Sequence, residues 1–203
     1  ELIWHWLDEL CHRSADTESA QYRHFLKILE LVAAAKTDSA EEQLGLYLFE
    51  NPSCARGKMA SAALYLQKGC IESALEQLND VYRSQPSNTM ALYAIGHCLE
   101  RLGEEDKSIH FYQDCLKFKS YLQLPRERIA AIHFKNGRLE KTISEYEVLK
   151  KESPGDISTM LLLGHLYMAV GDHDRAIETF NTAILIHPDN FDSTADDIGM
   201  LLA

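Results

Sequence analysis

Four glycines, Gly69, Gly103, Gly137 and Gly171, stand 34 residues apart, and this spacing constrains the fold more than any other feature of the chain. The prolines Pro52, Pro86, Pro154 and Pro188 keep the same period, with Ser120 standing where a further proline would fall. A fixed period of this length is the mark of a repeat architecture. Glycine accepts positive φ at a tight turn, and proline cannot continue a preceding helix, so the two punctuators divide each unit into two helices. A 34-residue unit is too small to bury a sufficient core alone, so neighbouring units must stack.

The windows are 55–88, 89–122, 123–156 and 157–190, contiguous and without insertion. In each, the first 14 residues and residues 18 to 31 read as helices around the glycine turn. The last window is the most regular. It sets Met160, Leu163 and Tyr167 on one helical face and Ala176, Phe180 and Ala183 on the next. Small residues, Gly164 among them, allow helix backbones to approach, and the rings fill the space that remains.

This pattern resembles the tetratricopeptide repeat, in which a bulky residue, a Leu-Gly pair, a Tyr, an Ala, an aromatic, a second Ala and a Pro recur at fixed places. The resemblance implies an all-α fold, a right-handed α-solenoid of stacked antiparallel helical hairpins. It extends backwards to a degenerate repeat in window 21–54, where Ala40 and Pro52 are in register and Ala35 replaces the turn glycine. Residues 1–20 and 191–203 read as terminal helices, either caps or truncated repeats. Window 123–156 departs most from the pattern: Arg126 and His133 hold apolar or aromatic places, and Thr142 and Leu149 hold small ones. Looser or displaced packing is expected there. Ser120 is expected to let the preceding helix run on, with Pro125 in the first turn of the next helix and a local bend between them.

In such arrays, the resemblance implies, the first helices of successive hairpins line a concave groove that holds a protein or peptide. Helical periodicity then points the side chains between the core places toward that groove. The candidates are Arg56 and Met59; Met90, Tyr93, His97 and Arg101; Leu124, Glu127, Phe134 and Lys135; and Leu161, His165 and Met168. Their apolar character suits a partner helix or extended peptide with an apolar face. Packing against an appended domain or a second copy would use the same patch. The carboxylate clamp of chaperone-binding relatives is missing, since Met59, Ala63, Ala94 and Leu124 stand at its donor places and only Arg128 matches in kind.

Charge narrows the partners. Residues 1–54 carry −6, residues 55–156 carry +1 and residues 157–203 carry −6, giving −11 in all. An acidic chain lacks the Lys and Arg surplus that nucleic-acid binding draws on, so a basic protein partner is favoured. No apolar run is long enough to span a bilayer. Five cysteines without a CxxC pair argue against a disulfide framework or a zinc ribbon, and point to a reducing, cytoplasmic setting. Cys98 and Cys115 read as small core residues, and Cys70, beside a turn glycine, as exposed.

His97 and His165 share a register two repeats apart, a spacing unsuited to one metal ion. No catalytic constellation, metal site or cofactor loop is evident. The expectation is a non-catalytic protein-interaction scaffold; the alternatives are a regulatory or targeting segment of a larger enzyme, or a self-assembling scaffold.

Overall fold

The computed structural model describes residues 20–120 and 122–186. Among these residues there are ten α-helices and no strand. They are α1 (Ala20–Ala33), α2 (Thr37–Glu50), α3 (Ala55–Gln67), α4 (Ile71–Ser84), α5 (Thr89–Arg101), α6 (Glu105–Phe118), α7 (Gln123–Lys135), α8 (Leu139–Glu152), α9 (Ile157–Ala169) and α10 (His173–Ile186). The terminal helices expected in 1–20 and 191–203 fall outside the described residues, apart from Ala20 at the start of α1.

The chain forms two compact units, one ending at Phe118 and the other beginning at Lys119. In the first, each of α1 to α5 packs on its successor and α1 also touches α3; in the second, each of α7 to α9 does the same with its successor. Both units are stacks of helical hairpins with 13- or 14-residue helices. The second helices start one residue earlier than the spacing alone suggests.

The turn inside each hairpin is built the same way five times. Gly69, Gly103, Gly137 and Gly171 have φ between 67° and 80°. The residue after each glycine donates its N–H to a carbonyl five residues back: Cys70 to Tyr65, Glu104 to Leu99, Arg138 to His133 and Asp172 to Tyr167, each at 2.9 Å. This bond and the shorter one from the glycine N–H satisfy carbonyls that the helix end would otherwise orphan. The α1–α2 turn makes the equivalent bond from Lys36 to Leu31 at 3.0 Å, with Ala35 forced to φ 53°. An alanine there carries the steric cost that glycine escapes.

The connections between hairpins also repeat. A four-residue turn closes from Cys54 N to Asn51 O, from Asn88 N to Gln85 O, from Leu122 N to Lys119 O and from Asp156 N to Ser153 O, at 3.0 to 3.3 Å. Pro52, Pro86 and Pro154 stand second in three of these turns, where a fixed φ near −65° fits. Ser120 stands second in the fourth. The expected extension of the preceding helix is therefore not found: α6 ends at Phe118, in register with Ser84 and Glu152. Serine adopts the same backbone, and the turn hydrogen bond stops the helix without proline's help. Pro125 does sit in the first turn of α7, as expected. Asn88 and Asp156 add side-chain caps, the latter accepting from the Ser158 and Thr159 amides.

Helix contact inside the hairpins depends on missing side chains. A Cβ on Gly96 would lie 2.7 Å from the Tyr112 ring, and one on Gly164 would lie 2.5 Å from the Phe180 ring. Tyr112, Phe180, Leu92, Leu163 and Met160 are buried around these points. Each such apolar side chain contributes roughly 1.5–3 kcal/mol when fully buried.

The α7–α8 hairpin fills its interior differently. Thr142 and Leu149 are buried where smaller residues were expected to be needed, and His133 is buried in the place of Tyr167. Arg126 reaches Glu145 at 2.9 Å and Glu152 at 3.7 Å. Its counterpart Lys58 reaches Asp80 at 2.6 Å in the α3–α4 hairpin. A cation in the bulky apolar place is thus neutralised by a carboxylate of the following helix in both.

Candidate protein-binding surfaces

The candidate residues lie on the first helices α3 and α5 of the first unit and on α7 and α9 of the second. On α3, Arg56 is exposed but Met59 is only 2% exposed. On α5, Arg101 is exposed, Met90 and His97 are half-buried, and Tyr93 is 7% exposed with its ring 5.3 Å from that of Tyr112. Met59 and Tyr93 are consumed by packing inside the unit. The first unit therefore offers Arg56, Met90, His97 and Arg101 rather than the whole expected set.

The second unit presents more. Leu124 is 42% exposed and Phe134 57% exposed at opposite ends of α7, with Glu127 and Lys135 exposed beside them. On α9, Leu161 and Met168 are half-buried, each resting on the cluster of Leu163, Leu166, Tyr167 and Phe180. His165 is exposed and meets the Phe180 ring edge-on at 5.3 Å. Core packing thus supports one side of Leu161 and Met168 and leaves the other open.

Electrostatics around α7 are local. Partial desolvation of the Glu127 carboxyl, together with nearby Asp156, raises its pKa above the usual carboxylate value, with Arg128 opposing. Tyr146 is raised as well, by burial and then by Glu127. On α9, Tyr167 donates to Glu147 at 2.7 Å while Arg175 lies 4.5 Å over its ring. Burial and that carboxylate push the Tyr167 phenol up to about 12. It stays protonated at neutral pH and ties α9 to α8 and α10.

Leu162 was not among the sequence candidates, although it is exposed on α9. The run Leu161–Leu162–Leu163 holds only one core place, filled by Leu163, so one of its companions had to face outward. Leu46, Phe49 and Leu185 are exposed on the second helices α2 and α10, a face the groove argument did not consider. Cys98 and Cys115 are buried and Cys70 is exposed, as expected. Burial pushes the Cys98 thiol up to about 12, which leaves it unreactive at neutral pH. Among the described residues no group of three or more His, Cys, Asp or Glu could hold a metal ion. Among the same residues, no helix is long and apolar enough to cross a membrane.

Residues 59–121 and 157–190 match models of the tetratricopeptide repeat. The chain is a tetratricopeptide repeat protein. BBSome complex member BBS4 of Bos taurus is 24% identical over 155 residues, 74% of this chain and 30% of that protein. The tetratricopeptide chain thus spans less than a third of the length of this relative. Among solved structures, MamA protein superposes with a TM-score of 0.70 at 18% identity, covering 87% of this chain and 95% of its own. YrrB, described as a TPR protein with an unusual peptide-binding site, superposes with a TM-score of 0.63 at 17% identity, covering 94% and 95%. At these identities the likeness establishes a shared tetratricopeptide fold.

Proposed function

We propose that this protein is a non-catalytic scaffold whose first-helix faces hold a helix or extended peptide of a partner protein. The observation that carries the reading is the apolar exposure of the second unit, where Leu124 and Phe134 are exposed on α7, Leu162 is exposed on α9, and Leu161 and Met168 are half-buried on that same helix. Soluble proteins seldom expose such apolar side chains together without a use for them. A helix with apolar residues at three- and four-residue spacing would bury them, and Glu127, Lys135 and His165 would form the polar rim. Arg56, Met90, His97 and Arg101 of the first unit supply a separate, more polar contact set. The net charge of −11 favours a partner with basic flanks. The peptide-binding site named for YrrB supports a peptide as occupant, and the free state of Cys54, Cys70, Cys98 and Cys115 suits a cytoplasmic setting.

The test is photo-crosslinking from positions 134 and 161, with position 83 on the second helix α4 as the control. Crosslinks to a basic or apolar-faced partner from the first two positions only are the expected result. Phe134→Glu with Leu124→Glu should then weaken that partner's affinity by roughly tenfold or more, as loss of apolar anchors does. Equal crosslinking from position 83, or unchanged affinity in the folded double variant, would refute the assignment. Crosslinks between copies of this chain would replace the partner with self-association.

A further inference from the structure

His133 is 7% exposed in the interior of the α7–α8 hairpin, and its Nδ1 is buried with no hydrogen-bond partner. Two turns earlier on α7, Arg126 Nε is buried without a partner as well. The equivalent place in α9 is held by Tyr167, whose hydroxyl has an acceptor in Glu147. An imidazole here is thus a buried titratable group in a place that elsewhere is aromatic or aliphatic.

The charged groups acting on the ring are Lys141 of α8, Arg138 in the turn before α8, and Glu145 of α8. Two of the three are cations. The carboxylate is already engaged, since Glu145 accepts from Arg126 at 2.9 Å, and Arg126 shares a helix with His133. A proton on His133 would therefore place a further positive charge beside Arg138 and Lys141, with a single opposing carboxylate that Arg126 already shares.

We infer that the α7–α8 hairpin is an acid-labile element, in which protonation of His133 loosens the packing of α7 on α8. The inference concerns the hairpin itself and does not depend on the binding reading above. Burial, then Lys141 and Arg138, hold the imidazole below its usual range, with Glu145 opposing. The unfolded chain consequently takes up the proton first as pH falls. Stability is undiminished above the ordinary imidazole value of about 6.5, declines as pH falls from there to the depressed folded value, and then levels off. The turn gives this opening a direct path, because the His133 carbonyl accepts the Arg138 N–H that closes the hairpin.

Amide hydrogen exchange of the whole chain at about pH 7.5 and about pH 5.5, corrected for intrinsic rates, reads the effect on both sides of the usual imidazole value. Protection across residues 123–152 is expected to fall by up to roughly tenfold for each unit of imidazole depression, and to fall less in α9 and α10. His133→Tyr, which installs the residue found at position 167, should abolish the loss. Direct NMR titration should show the His133 ring titrating below the ordinary value, and Lys141→Gln should raise it. The titration and Lys141→Gln decide the matter should His133→Tyr not fold. A ring that titrates at or above the ordinary value, protection indifferent to acid, or a loss that persists in folded His133→Tyr would each overturn the inference.

Discussion

The two units carry the same repeat but spend its first-helix residues differently. The fifth residue of the window is Met59 and Tyr93 in the first unit, both buried; in the second it is an exposed Glu127 and a half-buried Leu161. The twelfth is a buried Leu66 and a half-buried Glu100, against an exposed Phe134 and a half-buried Met168. Periodicity fixes which way a side chain leaves its helix, and the neighbours decide whether anything covers it. In the first unit, α1 lies against α3, with Gln67 donating across to the Val32 carbonyl at 2.9 Å, and Tyr93 lies against Tyr112. Apolar residues in those places belong to the core, whereas their counterparts in the second unit stay exposed or half-buried.

The same chemical change at two of these places should break or confirm this contrast most sharply. Met59→Glu would bury a charge without a counter-ion and is expected to cost about 3–5 kcal/mol, by analogy with orphaned charges in protein interiors. Phe134→Glu should stay within about 0.5 kcal/mol of wild type, as most surface substitutions do. Urea denaturation of both variants measures the difference. Equal losses would mean that the units do not differ in how they cover this face.

A smaller effect should be common to both units. Gly96→Ala and Gly164→Ala each press a methyl group into a buried ring, Tyr112 at 2.7 Å and Phe180 at 2.5 Å. Overpacking of this kind costs about 1–3 kcal/mol. Similar losses in the two variants, read from denaturation midpoints, would show that close hairpin contact is one device used twice. A neutral result at either site would mean that the ring can move aside, and that the unit concerned is less tightly packed than its partner.

The repeat was legible because its punctuation is backbone chemistry. Positive φ at Gly69, Gly103, Gly137 and Gly171 and the four-residue turns at the prolines follow from residue identity at fixed spacing. The role of Ser120 was misread for the converse reason: proline is sufficient to stop a helix, but a turn closed from Leu122 to Lys119 stops it as well. Burial of Met59 and Tyr93 could not be read from either residue, since it depends on what lies opposite. The α7–α8 interior was legible as a departure, at Arg126, His133, Thr142 and Leu149. What was not legible was how the departures are accommodated. Arg126 is matched by Glu145 and Glu152, residues in no signature place, while the Nδ1 of His133 is matched by nothing.

The smallest expected effect concerns the turn that breaks the glycine rule. Ala35 sits at φ 53° yet makes the same pair of turn hydrogen bonds as the glycines, donating to Val32 at 3.1 Å while Lys36 donates to Leu31 at 3.0 Å. Geometry has been kept at the expense of strain. Ala35→Gly removes a left-handed penalty of roughly 1–2 kcal/mol and returns part of it through the greater freedom of glycine in the unfolded chain. A net gain of about 0.5–1 kcal/mol is expected, visible as a higher denaturant midpoint with an unchanged slope. Gly137→Ala in the second unit is the mirror experiment and should lose a similar amount, since its φ of 67° imposes the same penalty on a new Cβ. If Ala35→Gly lowered stability instead, the first turn would be held by packing of the alanine methyl rather than merely tolerating it. The likeness between this turn and the four glycine turns would then be one of shape without a shared cause.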